Sequence, residues 1–185
     1  MVRKLKFHEK KLLKKVDFIS WDLDNNVHEG AVIRKFHLKK REEYTLYNKL
    51  SRLVRTVAQE LKDLDGRDAF RVNASKQLLT KLYDMGIIDD KNNLEDCMRV
   101  SASSFCRRRL AVVVARSKMA PGVAMASQLV EQAHVRVGPE LVSDPAFLVS
   151  RRLEDFVTWT NRSAMRKTIL DYREERDDFD LMDAD

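Results

Sequence analysis

Apolar side chains recur at intervals of three and four along most of the chain, and the period shortens to two only near residue 135. Tyr47, Leu50, Val54, Val57, Leu61 and Leu64 share one stripe and predict a long amphipathic helix within 39–64. Gly66 interrupts it. Leu78, Leu79, Leu82 and Met85 mark a second helix, with Gly86 where a helix closes on a left-handed residue, so the two predict a helical hairpin. Residues 87–93 read as a polar link, and Ser101, Ser103 and Ser104 offer N-caps for the next helix. Cys106, Leu110, Val113, Val114 and Ser117 lie on one face of that helix. Pro121-Gly122 stops it and opens another, because proline cannot continue a helix but suits a first turn. The new helix carries Val123, Ala126, Leu129, Val130 and Ala133. Alternation at His134-Val135-Arg136-Val137 predicts a strand. Gly138-Pro139-Glu140 turns the chain, Leu141-Val142 returns antiparallel, and 155–159 is a third strand candidate.

The pattern as a whole predicts an α+β chain: a helix-rich N-terminal half, then a two-helix unit packed on a small antiparallel sheet. The expected divisions are an extension over 1–38, a helical hairpin region over 39–104, a compact module over 105–170 and a tail over 171–185.

Charge changes this picture. The chain of 185 residues carries 35 basic and 29 acidic side chains, a formal net charge of +6. Residues 1–15 are net +6 and residues 171–185 net −6, so the ends cancel and the body keeps the excess. From Cys97 to Val130 there are six basic residues (99, 107, 108, 109, 116 and 118) and no acidic one. Such a gap reads as the footprint of a polyanion, against the plainer alternative of a solvated charged face. Arg107, Arg108 and Arg109 are expected in the first turn of a helix, where the dipole favours an anion as partner. In the basic extension, Lys10, Lys11, Lys14 and Lys15 surround Leu12, Leu13 and Val16. This segment suits phosphate contact, a nuclear address or a docked amphipathic helix. The acidic tail reads as solvated.

Other chemistry finds little support. Cys97 and Cys106 stand nine positions apart without a CxxC pair or a histidine cluster, so structural thiols are expected and no metal site. Asp22, Asp24 and Asn25 lack the glycine and closing glutamate of a calcium loop. No apolar run approaches the roughly twenty residues of a membrane span, and the basic start lacks the apolar block of a secretory signal. An intracellular protein without membrane attachment is the expectation. No glycine-rich phosphate loop, HExxH or G-x-S-x-G occurs, which predicts no catalytic residue, no cofactor and no small-molecule substrate.

Three ordered blocks carry a resemblance: Phe105-Cys106-Arg107-Arg108-Arg109-Leu110, then Ser127-Gln128-Leu129-Val130-Glu131-Gln132-Ala133-His134-Val135-Arg136-Val137-Gly138, then Asp144-Pro145-Ala146-Phe147-Leu148-Val149. Together they resemble the RNA-binding module of the small-subunit ribosomal protein S4 family, which packs two helices on a short twisted sheet. The likeness runs from Met1-Val2-Arg3-Lys4-Leu5-Lys6 through Leu82-Tyr83-Asp84-Met85-Gly86 to Glu174-Glu175-Arg176-Asp177-Asp178-Phe179-Asp180. Over that length it is similar to the nucleolar branch of the family, which belongs to the U3 small nucleolar ribonucleoprotein of the small-subunit processome. The resemblance implies an RNA-binding assembly factor of the nucleus and nucleolus. Its implied ligands are U3 small nucleolar RNA and precursor ribosomal RNA, which it would help to pair during pre-18S processing, and its implied partners are other processome proteins. The candidate RNA-binding residues are Arg107, Arg108, Arg109, Arg116, Lys118, His134 and Arg136, with Lys10, Lys11, Lys14 and Lys15. His134, opening a strand beside Arg136, reads as an RNA-facing donor. A structural ribosomal protein, a helix-turn-helix DNA regulator and a protein scaffold stay open as alternatives. Ala133 departs from the family, which often has glycine there, so either the helix cap differs or a little stability is lost.

Overall fold

The computed structural model describes residues 3–14 and 27–175; Lys15, Val16, the cluster at 22–25 and residues 176–185 of the acidic tail lie outside the described residues. The N-terminal half is helical: α1 (Phe7–Leu13), α2 (Val27–Lys35), α3 (Arg41–Asp63) and α4 (Ala69–Asp84). The face that α3 buries is rotated from the expected stripe. Tyr47, Ser51, Ala58 and Leu61 are buried, while Val57 is 42% and Leu64 39% exposed. The small side chains at 51 and 58 let neighbouring elements approach closely, and the buried Ser51 hydroxyl donates to the Asn48 carbonyl at 2.9 Å, so its burial leaves no hydrogen bond unmade.

Asp68 caps α4 by accepting from the Phe70 N–H at 3.0 Å. The helix closes as expected on Gly86, at φ +72°, with the Gly86 and Ile87 amides returning to the Tyr83 and Leu82 carbonyls. Two short helices come next, α5 (Glu95–Met98) and α6 (Ala102–Cys106). Phe36, Leu38, Leu79, Leu82, Phe105 and Cys106 contribute to the first core, where the rings of Tyr47 and Phe105 stack with centroids 6.0 Å apart. Burial pushes the Cys106 thiol up to about 11, against the opposing pull of Arg109, so it remains a neutral core group.

A second core begins at Leu110. Here α7 (Leu110–Arg116) and α8 (Val123–Glu131) pack beside a sheet of β1 (Val135–Val137), β2 (Glu140–Leu141) and β3 (Val157–Trp159), ordered β2-β1-β3 and antiparallel throughout. Val137 pairs with Glu140 on one side and Val157 on the other. Val135 and Val137 are buried and Arg136 half-buried between them, as a period of two requires. A 3-10 turn (Arg151–Phe156) leads into β3, and α9 (Ala164–Arg173) ends the described chain. The α+β class and the two-helix unit on a small sheet are therefore as the pattern predicts.

The helix expected to run on from Cys106 is divided. The Leu110 amide donates to the Phe147 carbonyl and the Val149 amide to the Arg108 carbonyl, each at 2.8 Å, drawing 108–110 into an extended pairing with 147–149. Cys106 ends one helix and Arg109 caps the next, so the three arginines join two helices instead of opening one.

At the end of α8 the left-handed cap is kept with alanine in it. Ala133 sits at φ +61°, its amide returning to Val130 and that of His134 to Leu129. A Cβ in this conformation costs roughly 1–2 kcal/mol, partly offset because alanine restricts the unfolded chain more than glycine does. Ala133→Gly is expected to stabilise the protein by about 0.5–1 kcal/mol. Urea denaturation checks it; an equal or lower midpoint would show that the site carries no strain.

Candidate RNA interface

The arginines between the two cores separate by direction. Arg107 is exposed, whereas Arg108 and Arg109 are 5% and 2% exposed. Arg108 donates from Nε and Nη2 to the Val149 carbonyl at 3.0 and 2.8 Å, and from Nη1 to Glu154 Oε2 at 2.8 Å. Arg109 Nη1 donates to Glu43 Oε2 at 2.5 Å and to the Tyr47 hydroxyl at 3.1 Å. Both guanidinium groups are thus engaged inside the protein. Their expected phosphate contacts are corrected to a structural role, because burial plus a carboxylate partner leaves neither the surface nor the free charge that RNA would need.

Arg116, at the end of α7, is exposed and pairs with the same Glu154 that holds Arg108. Arg107, Arg108, Arg116 and Arg151 meet around a cleft of 240 Å³ floored by Gly86, with Asp89 and Glu154 also on its wall. Arg151 was not among the expected residues. It lies over the Tyr83 ring with 4.2 Å to the centroid and donates to the Ile88 carbonyl at 3.0 Å and Asp89 at 3.3 Å. The cleft's rim is positive because it holds four arginines against two carboxylates. Lys118 is exposed just beyond α7, in a left-handed position of its own at φ +60°.

His134 and Arg136 line a different groove. The His134 Nδ1 lies 3.0 Å from the buried Ser163 hydroxyl, and Arg136 Nε donates to the Thr158 hydroxyl at 3.0 Å. Lys10 and Lys11 on α1 and Lys14 at its C-cap are exposed, and the helix buries none of its residues. Of the expected set, Arg107, Arg108 and Arg116 line the cleft, His134 and Arg136 the sheet groove, and Lys10, Lys11 and Lys14 the basic arm, while Arg109 is buried between the cores and Lys118 stands beyond α7. A further ion pair, Lys39 to Glu131 at 2.5 Å, ties the N-terminal half to α8, and that lysine's hydrogen bond holds the Glu131 carboxyl below the usual carboxylate range.

Two helices beside a three-stranded antiparallel sheet, with Arg107 exposed before the first helix and Arg116 and Lys118 exposed at its end, define the chain as an S4-type RNA-binding protein. Family comparison agrees, for residues 4–107 match the ribosomal protein S4/S9 N-terminal domain and residues 108–157 the S4 domain. The chain is 58% identical to the U3 small nucleolar ribonucleoprotein protein IMP3 of Mus musculus over 182 residues, covering 98% of this chain and 99% of that one. To IMP3 of Saccharomyces cerevisiae it is 47% identical, over 98% of this chain and 100% of the relative. Identity to the small ribosomal subunit protein uS4 of Sulfurisphaera tokodaii is 30%, covering 80% and 82% of the two chains. The chain belongs to the S4 family, in its IMP3 branch.

Proposed function

We propose that the protein is an RNA-binding subunit of the U3 small nucleolar ribonucleoprotein, acting in the nucleolus as an assembly factor of the small ribosomal subunit. The observation that carries this is likeness along nearly the whole chain to proteins named for that particle, at 58% identity against 30% for a ribosomal uS4. Its ligands on this reading are U3 small nucleolar RNA and precursor ribosomal RNA, and its protein neighbours are other subunits of the small-subunit processome. The chain works by binding, with no catalytic step. Structured RNA presents backbone and a shallow minor groove more readily than base edges, so shape and phosphate contacts dominate at the cleft rim.

The geometry supports a role in pairing two RNAs. Phosphate repulsion opposes bringing two polyanions together, and a body that binds both lowers that opposition and raises their local concentration. The arm with Lys10, Lys11 and Lys14 and the rim with Arg107 and Arg116 are separate positive elements, so each can engage one strand. Annealing of a labelled U3 segment to its precursor target is expected to accelerate when the protein is added and to lose that benefit as salt rises. Deleting residues 1–15 should reduce annealing more than affinity for either RNA alone; equal losses would leave a simple RNA-binding subunit.

The exposed cations of the rim and of Lys118 beyond it carry their own prediction. Replacing Arg107, Arg116 and Lys118 together by alanine should flatten the slope of log K against log salt by roughly 0.7–0.9 for each phosphate no longer neutralised. An unchanged slope in a folded triple variant would move the RNA surface elsewhere.

A further inference from the structure

The groove that holds His134 and Arg136 differs in kind from the arginine cleft. It encloses 420 Å³, within the range of pockets that take a small ligand. No acidic side chain lines it among the described residues, whereas Asp89 and Glu154 line the cleft. The charged side chains that line it are therefore all basic. Arg136 enters from β1, anchored through Nε to Thr158, and Arg162 enters from the turn after β3 with no hydrogen-bond or ion-pair partner among the described residues.

Between these cations stand groups suited to a base. Gln132 brings an amide with a donor and an acceptor, and Asn161 an amide whose Oδ1 already accepts from Arg166 Nη1, leaving its NH2 group as the donor it offers. The His134 ring is fixed through Nδ1 to Ser163, which is itself 1% exposed, so a planar face is held in place at the groove. Leu141, 58% exposed, adds an apolar wall.

We propose that this groove is a subsite for a single unpaired nucleotide of the bound RNA. Arg136 and Arg162 meet its phosphate, and the Gln132 and Asn161 amides meet its base edge beside the His134 ring. The assignment rests on the RNA-binding reading above and sharpens it. A rim of arginines reads backbone, but a concave groove with amide partners admits a nucleotide turned out of its helix, where its Watson–Crick edge is free.

The test uses the full-length protein and two RNA hairpins that differ only by one bulged 2-aminopurine nucleotide. The bulged hairpin is expected to bind about tenfold tighter, with a change in 2-aminopurine fluorescence as the base stacks. The double variant Gln132→Ala with Arg162→Ala changes two exposed side chains and should melt like the wild type. It should lose the preference while keeping its affinity for the unbulged hairpin, which has no unpaired nucleotide to seat in the groove, within about threefold. A preference that survives in this variant, or equal losses on both hairpins, overturns the subsite. Millimolar adenosine and uridine monophosphates should not displace the bulged hairpin; displacement would make the groove a site for free nucleotides and overturn the RNA assignment. A wild-type protein that binds neither hairpin would bring down the RNA-binding reading itself, an outcome visible without either variant.

Discussion

Replacing Arg109 by alanine is expected to destabilise the protein by roughly 2–4 kcal/mol while leaving the salt slope of RNA binding unchanged. The Arg109 side chain is 3% exposed and bridges the two cores, with Glu43 and Tyr47 of α3 on one side and the start of α7 on the other. Truncation strands the Glu43 carboxylate and the Tyr47 hydroxyl and opens a space beside the Tyr47 ring, over which the guanidinium lies at 5.9 Å. The cost stays below that of breaking a fully buried pair because Glu43 is 25% exposed and water can reach it. Arg109 Nε, moreover, is buried without a hydrogen-bond partner among the described residues, so the native arrangement already carries some desolvation cost. Urea denaturation of Arg109→Ala, Glu43→Gln and the double variant measures the coupling, which should be at least about 1 kcal/mol. A loss of under about 0.5 kcal/mol accompanied by a flattened salt slope would return Arg109 to the RNA surface.

A structural Arg109 reverses the expectation from charge alone. The stretch from Cys97 to Val130 is free of acids in sequence but not in space, since Glu43 arrives from 66 positions upstream of Arg109 and Glu154 from 46 downstream of Arg108. One signal was nonetheless present. Arg109 stands three residues after Cys106 and four before Val113, both buried, so helical spacing already put it on the core side. Spacing does not separate the other two, since Ala111 and Val114 at four and seven positions from Arg107 are buried as well, yet Arg107 is exposed and Arg108 is not.

Legibility of the fold follows burial in the same way. The helices at 41–63 and 123–131 and the strand at 135–137 were readable because each buries a regular face and so imposes a period. The helices at 27–35 and 164–173 bury no residue, which leaves the sequence little to record. The break at 107–109 was hidden for another reason. It is made by pairing with residues 147–149, nearly forty positions on, a long-range contact that no local pattern carries. In the candidate interface, cations were legible by type, but whether each is bonded inside the fold or left exposed depends on partners elsewhere in the chain.

Gly86→Ala is expected to cost roughly 2–4 kcal/mol, well beyond the effect of the same change at Gly138. Both glycines are left-handed, at φ +72° and +59°, so alanine carries a conformational penalty of about 1–2 kcal/mol at either. Their surroundings differ. A Cβ at 138 meets nothing within 4 Å, but at 86 it would come within 2.8 Å of Arg108 Cζ and 2.9 Å of its Nε. The guanidinium cannot retreat without loosening its bonds to the Val149 carbonyl and Glu154, and Arg108 is 5% exposed. Since Glu154 also holds Arg116 at the cleft rim, the strain reaches a residue proposed to meet RNA. The difference between the two alanine variants therefore isolates the cost of displacing Arg108. In an Arg108→Ala background that difference should vanish, leaving two equal left-handed alanines. Equal costs at 86 and 138 in the wild-type background would mean that Arg108 gives way freely and that its bonds to Val149 and Glu154 contribute little to holding the cleft.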